Sequence, residues 1–251
     1  MLLNWLAKHL AAYLSRQVAQ HSVPTSTYEA LERALQPGDV LLVEGDARIS
    51  VAIKYLTQST WSHAALYLGP DAGLGTSEDG EPCTLIEADL EAGIRPLPLS
   101  FYRHSHTRIC RPVGLNEENI HALTDYALSR LGHQYDMKNV FDLARYLIQT
   151  PPVPARHRYK LLSFGSGDPT RAICSTFIAE GFQRLRYPIL PTINTMPSGD
   201  PDCTDCIREH YRIRQTSLFT PRDFDASPYF RIIKPTLEDN FDFRAINWAD
   251  L

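Results

Sequence analysis

Four side chains in this 251-residue sequence are of the types that carbonyl attack requires: Cys174, His63, and the neighbouring carboxylates Glu87 and Asp89. A cysteine becomes a nucleophile as its thiolate, and the first turn of a helix stabilises that anion through free backbone N–H groups and the positive end of the dipole. Cys174 stands at the start of ICSTFIAEGFQRL (173–185), where Phe177, Ile178, Phe182 and Leu185 form an apolar helical face. A thiolate also needs an imidazole to take its proton, and the imidazole needs a third group that accepts its other ring N–H. WSHAALYLG (61–69) alternates as a strand and carries His63, while TLIEAD (84–89) reads as a further strand and carries Glu87. Alternation does not choose between Glu87 and Asp89, because both lie on one strand face. The backbone N–H of Cys174 would contribute to an oxyanion hole.

Each residue type has a plainer reading. Free cysteines are commonly packing residues, a histidine within a strand is commonly a satisfied core residue, and a carboxylate on a strand is commonly solvated. Tyr67 shares the strand face of His63 and reads equally as a site-lining residue or a half-buried aromatic. Cys203-x2-Cys206 with His210 has partial zinc spacing, but a structural site takes four ligands and no second pair completes it. No metal and no organic cofactor are expected. His104, His106, His121, His133 and His157 are scattered through polar segments and read as surface residues.

The elements that must position these residues are legible from pattern and punctuation. Leu3, Leu6, Leu10, Leu14 and Val18 recur every three or four residues, so 2–20 reads as an amphipathic helix, and His21 to Thr27 as the linker after it. The expected division is therefore an N-terminal helix and linker over 1–26 and a catalytic domain over 27–251. The turn Gln36-Pro37-Gly38-Asp39 feeds a buried strand, Val40 to Val43, and 47–57 reads as a helix. Pro70 to Pro82 is a loop. Strands are expected at 84–89, 93–97, 107–113 and 229–233, and helices at 116–131 and 136–149. Pro- and Gly-rich runs at 150–170 and 190–205 read as irregular excursions.

Composition narrows the function classes. A hydrophobic content of 43% supplies a core, and a formal charge of −4 gives no basic excess for a nucleic-acid footprint. Five cysteines in a chain of this length do not make the dense framework of a small secreted domain. The first 20 residues make a poor signal peptide, because Lys8, His9 and Arg16 interrupt the apolar run, and no stretch approaches a membrane span. A cytoplasmic protein is expected, or one peripheral at the inner face of a membrane through residues 2–20, where Lys8 and Arg16 give a local positive balance.

GDVLLVEG (38–45), WSHAALYLG (61–69), TLIEADLEAGI (84–94), GHQYD (132–136) and ICSTFIAEGF (173–182) together resemble the permuted papain-like amidases of the YaeF/YiiX type. Those are relatives of the NlpC-type cell-wall endopeptidases and of the lecithin retinol acyltransferases. The family's order of histidine strand, polar third residue and cysteine helix is the order His63, Glu87, Cys174 here. The resemblance favours Glu87 over Asp89. It implies an α+β, permuted papain-like (NlpC-type) fold, with a small antiparallel barrel-like sheet packed against the helix that bears Cys174. Tyr135 and Asp136 match one block and are taken as structural.

The expected function is a cysteine-dependent amidase, hydrolase or acyltransferase that forms an acyl-enzyme on an amide or ester, with a small molecule, lipid or peptide as substrate. Its counterpart of another class is a catalytically inactive papain-like module that binds a lipid or peptide.

Overall fold

In a computed structural model of the chain, the residues described are 13, 16, 23–89, 92–133, 173–197, 207–238 and 241–245. The amphipathic helix expected at 2–20, the helix at 136–149 and the excursion at 150–170 lie outside them, apart from Tyr13 and Arg16.

Helix α1 (Tyr28–Ala34) begins at Thr27, whose side chain accepts the N–H of Ala30, which satisfies one of the donors a helix start leaves open. Strand β1 (Val40–Val43) is buried at every position, as a continuous apolar run requires when both faces of its sheet are covered. Helix α2 (Arg48–Thr57) follows, then β2 (His63–Tyr67), β3 (Cys83–Asp89), β4 (Gly93–Pro98), a 3-10 turn at Leu99–Tyr102, and β5 (Thr107–Pro112). Helix α3 (Glu117–Ser129) opens with a capping box between Asn116 and Asn119. Beyond it come α4 (Ile173–Arg184), the pair β6 (Thr192–Pro197) and β7 (Ile207–Arg212), α5 (Pro221–Ala226), β8 (Phe230–Ile233) and α6 (Pro235–Glu238).

Six strands form one antiparallel sheet in the order β4-β3-β2-β1-β5-β8. The fold is thus α+β, as expected, but the sheet is open: β4 and β8 end it and do not pair with each other. The barrel-like closure expected from the family resemblance is corrected. Both faces of the sheet are already buried, so the chain covers it with other elements instead of curling it on itself. Alternation sorts the strands between two cores. Val40, Leu42, Ala64 and Leu66 face α4 and α3, whereas Leu41, Val43, Ala65 and Leu85 face Leu31 and Leu35 of α1. The run 190–205 is also corrected in part, since β6 occupies 192–197 and pairs with β7 in a separate exposed ribbon.

Helix α4 is the central element. Cys174, Ser175, Phe177, Ile178, Ala179 and Phe182 are all buried, while Thr176, Glu180 and Gln183 make a half-buried polar stripe along its other side. It packs on β2 and β3. Gly181 permits the approach of α3, because a Cβ there would stand 2.7 Å from Cδ1 of Leu123. Across the sheet, the turn before β1 is fixed by Asp39, buried to 1% exposure. Its carboxylate accepts from Nε and Nη2 of Arg111 on β5 at 2.9 and 2.7 Å, and from the Gln36 N–H at 2.8 Å.

Candidate active site

His63 is the first residue of β2, and the residues before it are anchored. Trp61 is 2% exposed and donates its indole N–H to Asp225 at 3.1 Å. The hydroxyl of Ser62 accepts the Gly45 N–H at 2.9 Å. Pairing of His63 with Val43 then fixes the strand end, and the imidazole emerges with 24% of its side chain exposed.

Nε2 of His63 lies 2.6 Å from Oε2 of Glu87, a carboxylate only 3% exposed. The structure therefore puts Glu87, not Asp89, on the imidazole. Asp89 instead accepts the Ala92 N–H at 2.8 Å, closing the turn into β4. Two residues that the sequence patterns did not single out complete the surroundings of Glu87. Arg95 donates to Oε1 from Nε at 2.8 Å and approaches it with Nη2 at 2.7 Å. The Tyr102 hydroxyl donates to Oε2. Arg95 stands directly across from Glu87 on β4, so the hairpin register set by the Asp89–Gly93 turn carries a signal for it. Tyr102 follows on a 3-10 turn, which has no periodicity to read.

Cys174 reaches the site from the opposite face of the sheet. The ladder between β2 and β3 starts only at Ala65 and Glu87, while β3 continues with β4 to Asp89 and Gly93. The two strands part at Ala64, and the N–H of Ala64 is directed to the Cys174 sulfur. The start of α4 sits at this gap, where a side chain from one face can meet a side chain from the other. Ser175 Oγ is 3.9 Å from the sulfur.

The charges follow from this geometry. Burial pushes the Cys174 thiol up, but the charge and hydrogen bond of His63, with the Ala64 N–H and the Ser175 hydroxyl, outweigh it and hold the thiol below its ordinary value. Burial likewise works against a charged His63, and Cys174 and Glu87 overcome it, so the imidazole is held well above its ordinary value. Glu87 is driven up by burial and down by His63, Tyr102 and Arg95, which bring it to about 2. By contrast, burial pushes Cys83 up, and burial, followed by the charge of Asp225, pushes Cys110 up. Since Nε2 is taken by Glu87, Nδ1 is the ring nitrogen left for the thiol. The arrangement can hold a thiolate beside an imidazolium and deliver a proton from that imidazolium.

Tyr67 lies four residues along β2 from His63, about 13 Å away at the usual strand rise. It packs with Leu31, Leu35 and Leu41 in the core under α1, so the structure does not bring it to Cys174. Cys203, Cys206 and the Tyr135-Asp136 pair lie outside the described residues, and His210 stands exposed on β7. Among the described residues no group of three His, Cys, Asp or Glu side chains is placed to hold a metal ion, and no helix is long and apolar enough to cross a membrane.

Residues 34–146 match the family model described as permuted papain-like amidase enzyme, YaeF/YiiX, C92 family. The family resemblance read from the sequence blocks is thereby found independently, and it supports a cysteine amidase or hydrolase of permuted papain-like type. The matched span contains His63 and Glu87 and ends before Cys174. No curated protein matches the chain. A solved structure titled as that of the metalloprotein yiiX from Escherichia coli O157:H7 is similar at 16% identity, covering 80% of this chain and 97% of that one with a TM-score of 0.45.

Proposed function

We propose that this chain is a cysteine amidase or acyl-transfer enzyme in which Cys174 is the nucleophile, His63 the base and acid, and Glu87 the residue that orients the imidazole. The observation that carries the reading is the 2.6 Å contact between Nε2 of His63 and Oε2 of Glu87, made by an imidazole that also holds the Cys174 thiol low. That set of relationships is what a carbonyl-attacking thiolate needs, and a packing cysteine has no use for it.

The reaction follows from the groups present. The Cys174 thiolate attacks the carbonyl carbon of an amide or ester, forming a C–S bond as the carbonyl electron pair moves to oxygen. Collapse of the tetrahedral intermediate breaks the bond to the leaving amine or alcohol, which takes the proton from Nδ1 of His63. A water or amine then gives its proton to His63 and attacks the thioester, and the C–S bond breaks to return the thiolate. Glu87 stays ionised throughout and keeps Nε2 protonated. Peptide amides and lipid acyl groups are the two substrate classes we propose, and hydrolysis and transfer differ only in the second nucleophile.

The test is to trap the acyl-enzyme and weigh the adduct on Cys174, since the mass identifies the acyl donor. Labelling of Cys174 by iodoacetamide well below pH 8 is expected. A thiol that reacts only in the ordinary alkaline range would instead favour a papain-like module that binds without turnover.

A further inference from the structure

Glu87 is bound by more donors than a residue that merely orients His63 needs. Its Oε2 receives both His63 and the Tyr102 hydroxyl, and its Oε1 receives Arg95 through Nε and Nη2. Tyr102 is 5% exposed, and its ring lies 6.2 Å from that of His63. Arg95 is shared with Asp89 at 3.8 Å, and its guanidinium lies 5.4 Å from the Phe101 ring centre.

A buried carboxylate held by an imidazolium alone would bind that cation too well. An acid has to part with its proton in every turnover, and a naked Glu87 in this low-dielectric position would favour retention. Hydrogen bonds and a second cation draw charge off the carboxylate and leave its direction unchanged. We propose that Arg95 and Tyr102 are positioning residues that hold Glu87 against His63 while taking up part of its negative charge, so that His63 releases its proton to the leaving group. This rests on the catalytic reading above and deepens it.

The groups facing the pair are Cys174 from α4, Asp89 from β3, Arg95 from β4 and Tyr102 from the 3-10 turn, together with the Ala64 N–H from β2. Asp89 opposes Arg95 and weakens its effect, and the Cys174 thiolate adds to the hold on the imidazolium. The sign of the outcome is therefore fixed. Loss of Arg95 or of the Tyr102 hydroxyl leaves Glu87 more negative towards His63, and the imidazolium persists to higher pH.

The experiment is an NMR titration of the His63 ring in the full chain, as wild type, Arg95→Met, Arg95→Lys and Tyr102→Phe, with iodoacetamide labelling of Cys174 alongside. The expected result is an upward shift of the His63 midpoint in Arg95→Met and a smaller upward shift in Tyr102→Phe. Arg95→Lys should return the midpoint towards wild type, because the charge is kept. Midpoints that stay put or fall in folded variants overturn the inference. Tyr102→Phe keeps the ring that fills the core, so it decides the matter alone should Arg95→Met not fold. If wild-type Cys174 labels as an ordinary thiol, the catalytic reading itself fails, whatever the variants do.

Discussion

His63 and Glu87 are diagonal neighbours on β2 and β3: Glu87 is paired in register with Ala65, yet its Oε2 lies 2.6 Å from Nε2 of His63. A glutamate has the reach for that diagonal, which a long side chain spans and a short one does not. Asp89 sits next to the β3–β4 turn and is spent on it. Glu87→Gln should therefore lower kcat/KM roughly tenfold, the difference between a charged and a neutral hydrogen bond to the imidazole. Asp89→Asn should change it little. Steady-state kinetics of the two variants decides the matter, and a larger loss in Asp89→Asn would exchange their roles.

Replacement of the nucleophile should separate chemistry from folding. Cys174→Ala is expected to abolish turnover and iodoacetamide labelling, with an unchanged far-ultraviolet circular dichroism spectrum, because one small side chain at a helix start is lost. Cys83 and Cys110 are buried with raised thiols, so Cys83→Ser and Cys110→Ser should leave labelling at Cys174 intact. Turnover above background in Cys174→Ala would remove it as nucleophile.

His63→Gln should fold and lose about a hundredfold or more in rate, the size expected for a positioned general base. Its pH profile carries the same information. With the thiol held low and the imidazole held high, activity should rise at a pH below the usual thiol range and fall only above the usual imidazole range. His63→Gln should lose the alkaline fall, as no imidazolium remains to deprotonate.

Acid should unfold the protein partly through Glu87. Its carboxylate is held at about 2 against an ordinary 4.5, so the folded state binds fewer protons than the unfolded one between those values. The stability this supplies is fully present above pH 4.5 and is lost as pH falls towards 2. Denaturant melts across that range should fall more steeply for wild type than for Glu87→Gln, and equal slopes would contradict the assignment.

Among the described residues the other buried carboxylate, Asp39, is structural. Asp39→Ala leaves Arg111 on β5 without its bidentate partner and the Gln36 N–H without its acceptor. A loss of about 3–5 kcal/mol is expected from breaking such a pair on one side. Chemical denaturation measures it, while labelling of the remaining folded protein at Cys174 should be unaffected.

The local pieces were legible from neighbours along the chain. Strict alternation placed Ala64 and Leu66 on one face of β2 and Ala65 and Tyr67 on the other. Helical spacing put Cys174 in the first turn of α4, and the family resemblance grouped it with His63 and Glu87. Those signals are periodic, and periodicity is a property of neighbours along the chain. The features that no such pattern carries lie between strands. The parting of β2 and β3 at Ala64 lets a thiol from one face meet an imidazole from the other, and nothing in either strand's pattern marks where a ladder ends. The end of the β2–β3 ladder at Ala65 and Glu87, not alternation, separated Glu87 from Asp89: both share a face, but Glu87 reaches His63 along the diagonal while Asp89 lies past the ladder and closes the turn into β4. Tyr102 was illegible for the same reason: its place at Glu87 is set by the path of a turn, which has no period. Whether the sheet closes is decided at its edges, where β4 and β8 do not pair with each other.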